Sequence, residues 1–194
     1  MQTLVKKLKI IVKDRMSALE GTAHSYQHVD RVLKIATFLA KKEGANMELV
    51  QTGTLLHDIG WTLGQPHNET GAKLASEILK EIGYPQEESE KIVRIILRHC
   101  LDFKDKLETL EEKVVWDADK IDLLGAVGIA RAFHWGGRKP FETVMKYCFE
   151  EGIPIYSMLN TATAKMIAMK RHRRTVVFLS ALEKELSLKD LGIS

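Results

Sequence analysis

The residues with the most chemical potential fall in three short segments. His57 and Asp58 stand side by side at the end of the apolar run TGTLLHDIGW, residues 52–61. His28 begins HVDRVLKIA, and WDADKIDLLGA carries Asp117, Asp119 and Asp122. A lone histidine is more often a hydrogen-bonded structural residue than a ligand, so the constellation carries the reading rather than any member. Two neutral imidazoles with two carboxylates make a mixed nitrogen and oxygen set that suits Mn, Fe, Co, Ni or Zn, with Mg less natural for histidine. Such a set leaves positions open for water and a substrate oxygen. The ion lowers the pKa of its water and polarises an electrophile, which is hydrolytic chemistry. Metal binding of this kind weakens as pH falls through the histidine range near about 6.5, because a protonated imidazole cannot ligate.

These side chains need rigid elements to hold them. Apolar residues recur at three- and four-residue intervals and strand-like alternation is scarce, which predicts an all-α fold. Helices are expected over about 3–19, 26–43, 46–59, 68–83, 86–100, 109–134, 140–151 and 158–187. Glu43-Gly44 closes one helix, Asn46 caps the next, and Asn68 caps a further one. Thr109 with Glu112 matches a capping box. Gly136-Gly137 followed by Pro140 ends a long helix containing Asp117, Asp119 and Asp122. On that helix Asp119 and Asp122 take neighbouring positions on one face, whereas Asp117 points elsewhere. Val115, Ala118, Ile121 and Gly125 mark its packed side.

The 194 residues, 45% of them hydrophobic, suffice for one sizeable core, and no linker or repeat divides them. The net charge of +3 is mild and interspersed, which argues against a nucleic-acid partner. The one basic cluster, MKRHRRT at 169–175, lacks interleaved aromatic residues and reads as a solvated helix face or an oligomer contact. No run of about 18 apolar residues exists, so no membrane span is expected. Cys100 and Cys148 read as free thiols of a reducing cytoplasm, making a cytoplasmic location the expectation.

In order, HVDRV, LLHDIG and DADKIDLLGAVGIARAF resemble the HD superfamily of metal-dependent phosphohydrolases, whose signature is a His, a His-Asp doublet and a later Asp. The wording is most similar to the stand-alone HD proteins related to the Escherichia coli protein YedJ. The resemblance runs from about His24 to Phe133, and the segment LNTATAKMIAMKRHRRTVVFLSALEKEL is similar to the C-terminal helix of that branch. It implies a single HD-domain helical bundle, with its core at about 20–135 and a C-terminal helical extension at about 136–194. Carried across residue by residue, it makes His28, His57, Asp58 and Asp119 the metal ligands. Asp119 is chosen over Asp117 because Ala118-Asp119-Lys120 reproduces the context of the family's last ligand.

The resemblance further implies a phosphohydrolase acting on a nucleotide or another small phosphorylated molecule, one form being a nucleoside triphosphate pyrophosphohydrolase. Metal-bound hydroxide would attack phosphorus, with manganese the foremost ion and Fe, Ni, Co, Zn or Mg as alternatives. Phosphate chemistry also needs positive charge. Arg31 shares a helix face with His28 and Lys120 adjoins Asp119, so both are expected to hold phosphate oxygens, with Arg98 and Arg131 as further candidates. His24 is a substrate contact or proton donor. His67 and His99 are substrate contacts, ligands of a second metal, or simply a helix cap and a core-edge residue. Asp58 and Lys120 count as catalytic, as does Asp122, which either orients a ligand or pairs with Lys120 or Arg131. Two other classes stay open: a non-catalytic metal- or nucleotide-binding regulatory module, and a di-iron oxygenase. Self-association into a homo-oligomer is compatible with all three.

Overall fold

Most helix ends in the structure follow from local chemistry. The computed structural model describes residues 2–137 and 139–193, and among the described residues no strand occurs. Helix α1 spans Gln2–Arg15 and passes into a 3-10 turn at Met16–Leu19. Helix α2, Tyr26–Glu43, stops at Gly44, whose φ of 78° is the left-handed conformation a glycine adopts without penalty. Asn46 then accepts the free N–H groups of Glu48 and Leu49 and starts α3, Met47–Leu56. Helices α4, His67–Glu81, and α5, Gln86–Arg98, form an antiparallel pair. The Thr109–Glu112 capping box opens α6, Leu110–Ile121.

The expected continuous helix over 109–134 is two helices. Helix α6 ends at Ile121, Asp122 caps it, and α7 runs Gly125–Trp135 after a turn through Leu123 and Leu124. Gly125 takes a φ of +73°, and a Cβ on Gly128 would collide with the Leu123 carbonyl. The unbroken apolar pattern hides a break that only these glycines permit. Asn68 does not cap α4 either. It lies in the first turn, and its amide donates to the Leu97 carbonyl at 3.1 Å, tying α4 to α5. The expected helix at 46–59 ends at Leu56, leaving His57 and Asp58 in the turn that follows. Beyond, α8 covers Phe141–Tyr147 and widens into a π turn at Cys148–Gly152, then come α9, Ile155–Met158, and α10, Ala162–Leu186. No helix among the described residues is long and apolar enough to cross a membrane.

Two large apolar clusters fix most of these helices, and a smaller one packs α8 against α7 and α10. One joins Leu8 and Val12 of α1 to Leu55, Leu56, Ile78 and Ile92 of α3, α4 and α5. The other joins Val32 and Leu39 of α2 to Val115 and Ile121 of α6 and Ala164 and Ala168 of α10. Each fully buried aliphatic side chain contributes about 1.5–3 kcal/mol, which holds α2, α3 and α6 rigid where polar groups converge between them. Asp117 serves this scaffold. It is fully buried and accepts hydrogen bonds from the backbone and side chains of Asn160 and Thr161 at 2.8–2.9 Å, fastening the start of α10 to α6. Asp117→Ala strands those donors, so it is expected to cost about 2–3 kcal/mol in denaturant unfolding while manganese affinity stays within twofold.

Candidate metal centre

Two helices and the end of a third meet around a small polar volume. His28 projects from the first turn of α2, His57 and Asp58 close α3, and Asp119 lies in the last turn of α6. All four are buried, with at most 7% of their surface exposed.

Hydrogen bonds orient both imidazoles. His57 Nδ1 lies 2.7 Å from the Thr54 carbonyl and His28 Nδ1 lies 2.8 Å from Asp122 Oδ2. Each acceptor calls for a proton on Nδ1, which directs the Nε2 lone pairs inward. The two Nε2 atoms are 3.3 Å apart. His28 Nε2 stands 3.5 Å from Asp58 Oδ2 and 3.3 Å from Asp119 Oδ1; for His57 Nε2 the same distances are 3.6 and 3.8 Å. Donors held about 2.0–2.2 Å from one ion lie roughly 3.0–3.6 Å from each other. Nitrogen lone pairs facing carboxylates across such gaps repel unless a cation lies among them. The set therefore fits a divalent ion on both spacing and chemistry.

Burial holds the His57 imidazole neutral, down to about 4, despite Asp58 and Asp119 nearby. Burial also opposes charge on His28, but Asp119 and Asp122 outweigh it and raise its pKa. Asp58 and Asp119 lie well below the usual carboxylate range in spite of burial, Asp58 through His57 and His24, Asp119 through Lys120 and His28.

Asp58 stands between two groups of side chains. Its Oδ2 meets the metal-facing imidazoles and His24 Nδ1 at 3.0 Å. Its Oδ1 faces His99 Nε2 at 3.4 Å and His67 Nε2 at 3.9 Å. Those two nitrogens are 3.1 Å apart, and Cys100 Sγ lies 3.4 Å from His67 Nε2 and 3.8 Å from His99 Nε2. His67 thus turns its ring toward Asp58 from the first turn of α4 instead of capping the helix. Burial disfavours the Cys100 thiolate, yet His67 and His99 draw it down to about 6, and His99 rises to about 10 beside Asp58 and Cys100. Gly60 makes the approach possible, since a Cβ there would strike the His67 carbonyl.

Around the centre lies a basic rim. Arg31 donates from Nε and Nη2 to Asp122, and Arg131 from Nη1 at 3.2 Å. Arg171 of α10 donates to the Ile121 carbonyl at 3.1 Å and lies 3.8 Å from Asp122 Oδ1. Asp122 is fully buried and lies below its usual range, where burial is outweighed by His28 and Arg31. Lys120 is 5% exposed, with Nζ 2.6 Å from Asp119 Oδ2 and 3.0 Å from the His99 carbonyl, a place suited to aligning Asp119 rather than to holding a phosphate oxygen. Arg98 pairs with Glu108 and Glu112 instead of Asp122.

Sequence reasoning passed over three residues of this assembly. Cys100 carried a signal in its adjacency to His99. Trp61, stacked between His24 at 4.1 Å and His67 at 4.4 Å, follows the His-Asp doublet by only three residues. Arg171 sits inside the basic cluster, where charge alone does not tell which side chain turns inward. Cys100 and Cys148 are free thiols, as expected.

The sequence model of the HD domain matches residues 25–124. YpgQ of Bacillus subtilis strain 168 is 31% identical over 180 residues, covering 86% of each chain. The crystal structure of B. subtilis YpgQ in complex with ADP superposes with a TM-score of 0.76 at 28% identity, covering 93% of this chain and 97% of that one. An HD-superfamily hydrolase from Bacillus thuringiensis superposes with a TM-score of 0.76 at 31% identity, covering 96% and 98%.

Proposed function

Because this chain belongs to the HD-domain family, we propose that it is a metal-dependent phosphohydrolase whose substrate is a nucleotide, cut between its α- and β-phosphates with release of pyrophosphate. The observation that supports this most is the buried convergence of His28, His57, Asp58 and Asp119 beneath a rim of three arginines. The complex of a similar protein with ADP supports a nucleotide as ligand. Manganese is the ion we favour, since it accepts imidazole and carboxylate donors together.

When bound, the ion supplies Lewis acidity and lowers the pKa of a water molecule toward neutrality. The chain's own residues do the rest. Asp58 would help hold the ion through Oδ2, and its Oδ1, beside His99 and His67, would take the proton of the attacking water. His24, one quarter exposed next to Asp58, gives a proton to the departing phosphate oxygen. Asp122 holds His28 in its ligating tautomer and Lys120 holds Asp119. Arg31 and Arg171, each about one third exposed, reach phosphate oxygens whose negative charge grows in the transition state.

Phosphorus NMR of a nucleoside triphosphate with metal-stripped protein, before and after manganese, tests the proposal. The expected result is manganese-dependent appearance of nucleoside monophosphate and pyrophosphate. Release of inorganic phosphate from monophosphates would replace the pyrophosphohydrolase reading with a nucleotidase. Absence of any phosphorus–oxygen cleavage with manganese, iron, cobalt or zinc would overturn it.

A further inference from the structure

Beside the metal centre a second space opens. A cavity of about 210 Å³ lies between α7, the end of α8 with its π turn, and Trp61. Leu123, Ile129, Trp135 and Tyr147 make its walls, and no carboxylate or amide side chain lines it. Two of its wall residues, His24 and Arg131, are side chains that touch Asp58 and Asp122. A group bound in the cavity and a group bound at the metal centre would thus share a single row of side chains between them.

Size and chemistry restrict the occupant. A dry apolar cavity of about 150 Å³ accepts benzene, so this one holds a flat ring system larger than one six-membered ring. Indole and phenol faces favour stacking on such a ring. Gly152 of the π turn adds an independent observation: it is buried, yet a Cβ built on it meets nothing within 4 Å. A buried glycine with open space at its Cβ faces a void, and any side chain there would occupy the void.

We propose that this cavity is the subsite for the base of the nucleotide, whose ring packs among Leu123, Ile129, Trp135 and Tyr147 while its phosphates extend past His24 and Arg131 to the metal centre. The inference rests on the phosphohydrolase reading for the second half of that placement. The apolar walls select an aromatic ring over none.

Isothermal calorimetry of adenosine, which carries no phosphate and needs no metal, tests the subsite apart from catalysis. Adenosine is expected to bind metal-free protein saturably, and Gly152→Leu to weaken it roughly tenfold to hundredfold with melting temperature and manganese affinity kept. Trp135→Ala, at a residue 41% exposed and so tolerant of change, is expected to weaken it in the same direction and decides the matter should Gly152→Leu fail to fold. No adenosine binding to the wild type, or binding undiminished in a folded variant, would overturn the subsite. Failure of the phosphohydrolase reading shows separately, as adenosine binding without any manganese-dependent cleavage of a triphosphate.

Discussion

Asp58→Ala is expected to lower metal-dependent hydrolysis about 10³-fold, with circular dichroism unchanged. The size of the effect follows from position. Asp58 is the side chain whose two oxygens face both groups of imidazoles, His24, His28 and His57 on one side and His67 and His99 on the other. Removing it deletes one donor of the metal set, the proton acceptor and the negative charge that compensates the surrounding imidazoles. Asp58→Asn preserves volume and separates these contributions. It keeps one ligating oxygen but not the charge, so manganese affinity falls less than in the alanine variant while turnover falls nearly as far. Hydrolysis persisting in Asp58→Ala at wild-type rates would remove the site from the account.

The second large effect lies behind His28. Asp122 is fully buried and receives His28, Arg31 and Arg131. In Asp122→Ala the Arg131 side chain, 10% exposed, is left with a buried charge and no carboxylate partner, which costs about 3–5 kcal/mol. Arg31 and Arg171 are about one third exposed and add little, because water takes the place of the carboxylate. Asp122→Asn retains an oxygen for the His28 Nδ1 proton and loses less stability. Both variants are expected to bind manganese about 10–100-fold more weakly, because His28 is no longer held and polarised through Nδ1. Urea unfolding and manganese titration measure the two effects independently. Unchanged manganese affinity in both variants would show that His28 is not a ligand whose orientation depends on Asp122.

The all-α architecture and the family were legible in the residues. Apolar spacing set most helices, and Gly44, Asn46 and Thr109 act locally, so their effects do not depend on distant packing. The order His28, His57-Asp58, Asp119 was legible as a motif, and the structure brings those four side chains together. The break between α6 and α7 was not, since Leu123, Leu124 and Ile129 continue the helical apolar pattern across it, and only the positive φ of Gly125 and the close approach at Gly128 reveal it. That break lets the chain turn at Asp122, so that Arg131 of α7 returns onto it. Arg171 was hidden for a different reason. It comes from a helix far along the chain, and its direction depends on α10 packing against α6 and α7. Cys100 and Trp61 are ordinary core-edge residues until the His67 and His24 rings are placed against them.

The most direct test of the metal centre is pulsed electron paramagnetic resonance of manganese added to metal-stripped protein. Loss of the free-ion signal is expected at stoichiometric manganese, with nuclear modulation from imidazole nitrogen that diminishes in His28→Ala and in His57→Ala. A spectrum that keeps the free-ion signal, or a bound signal without nitrogen modulation, would contradict it.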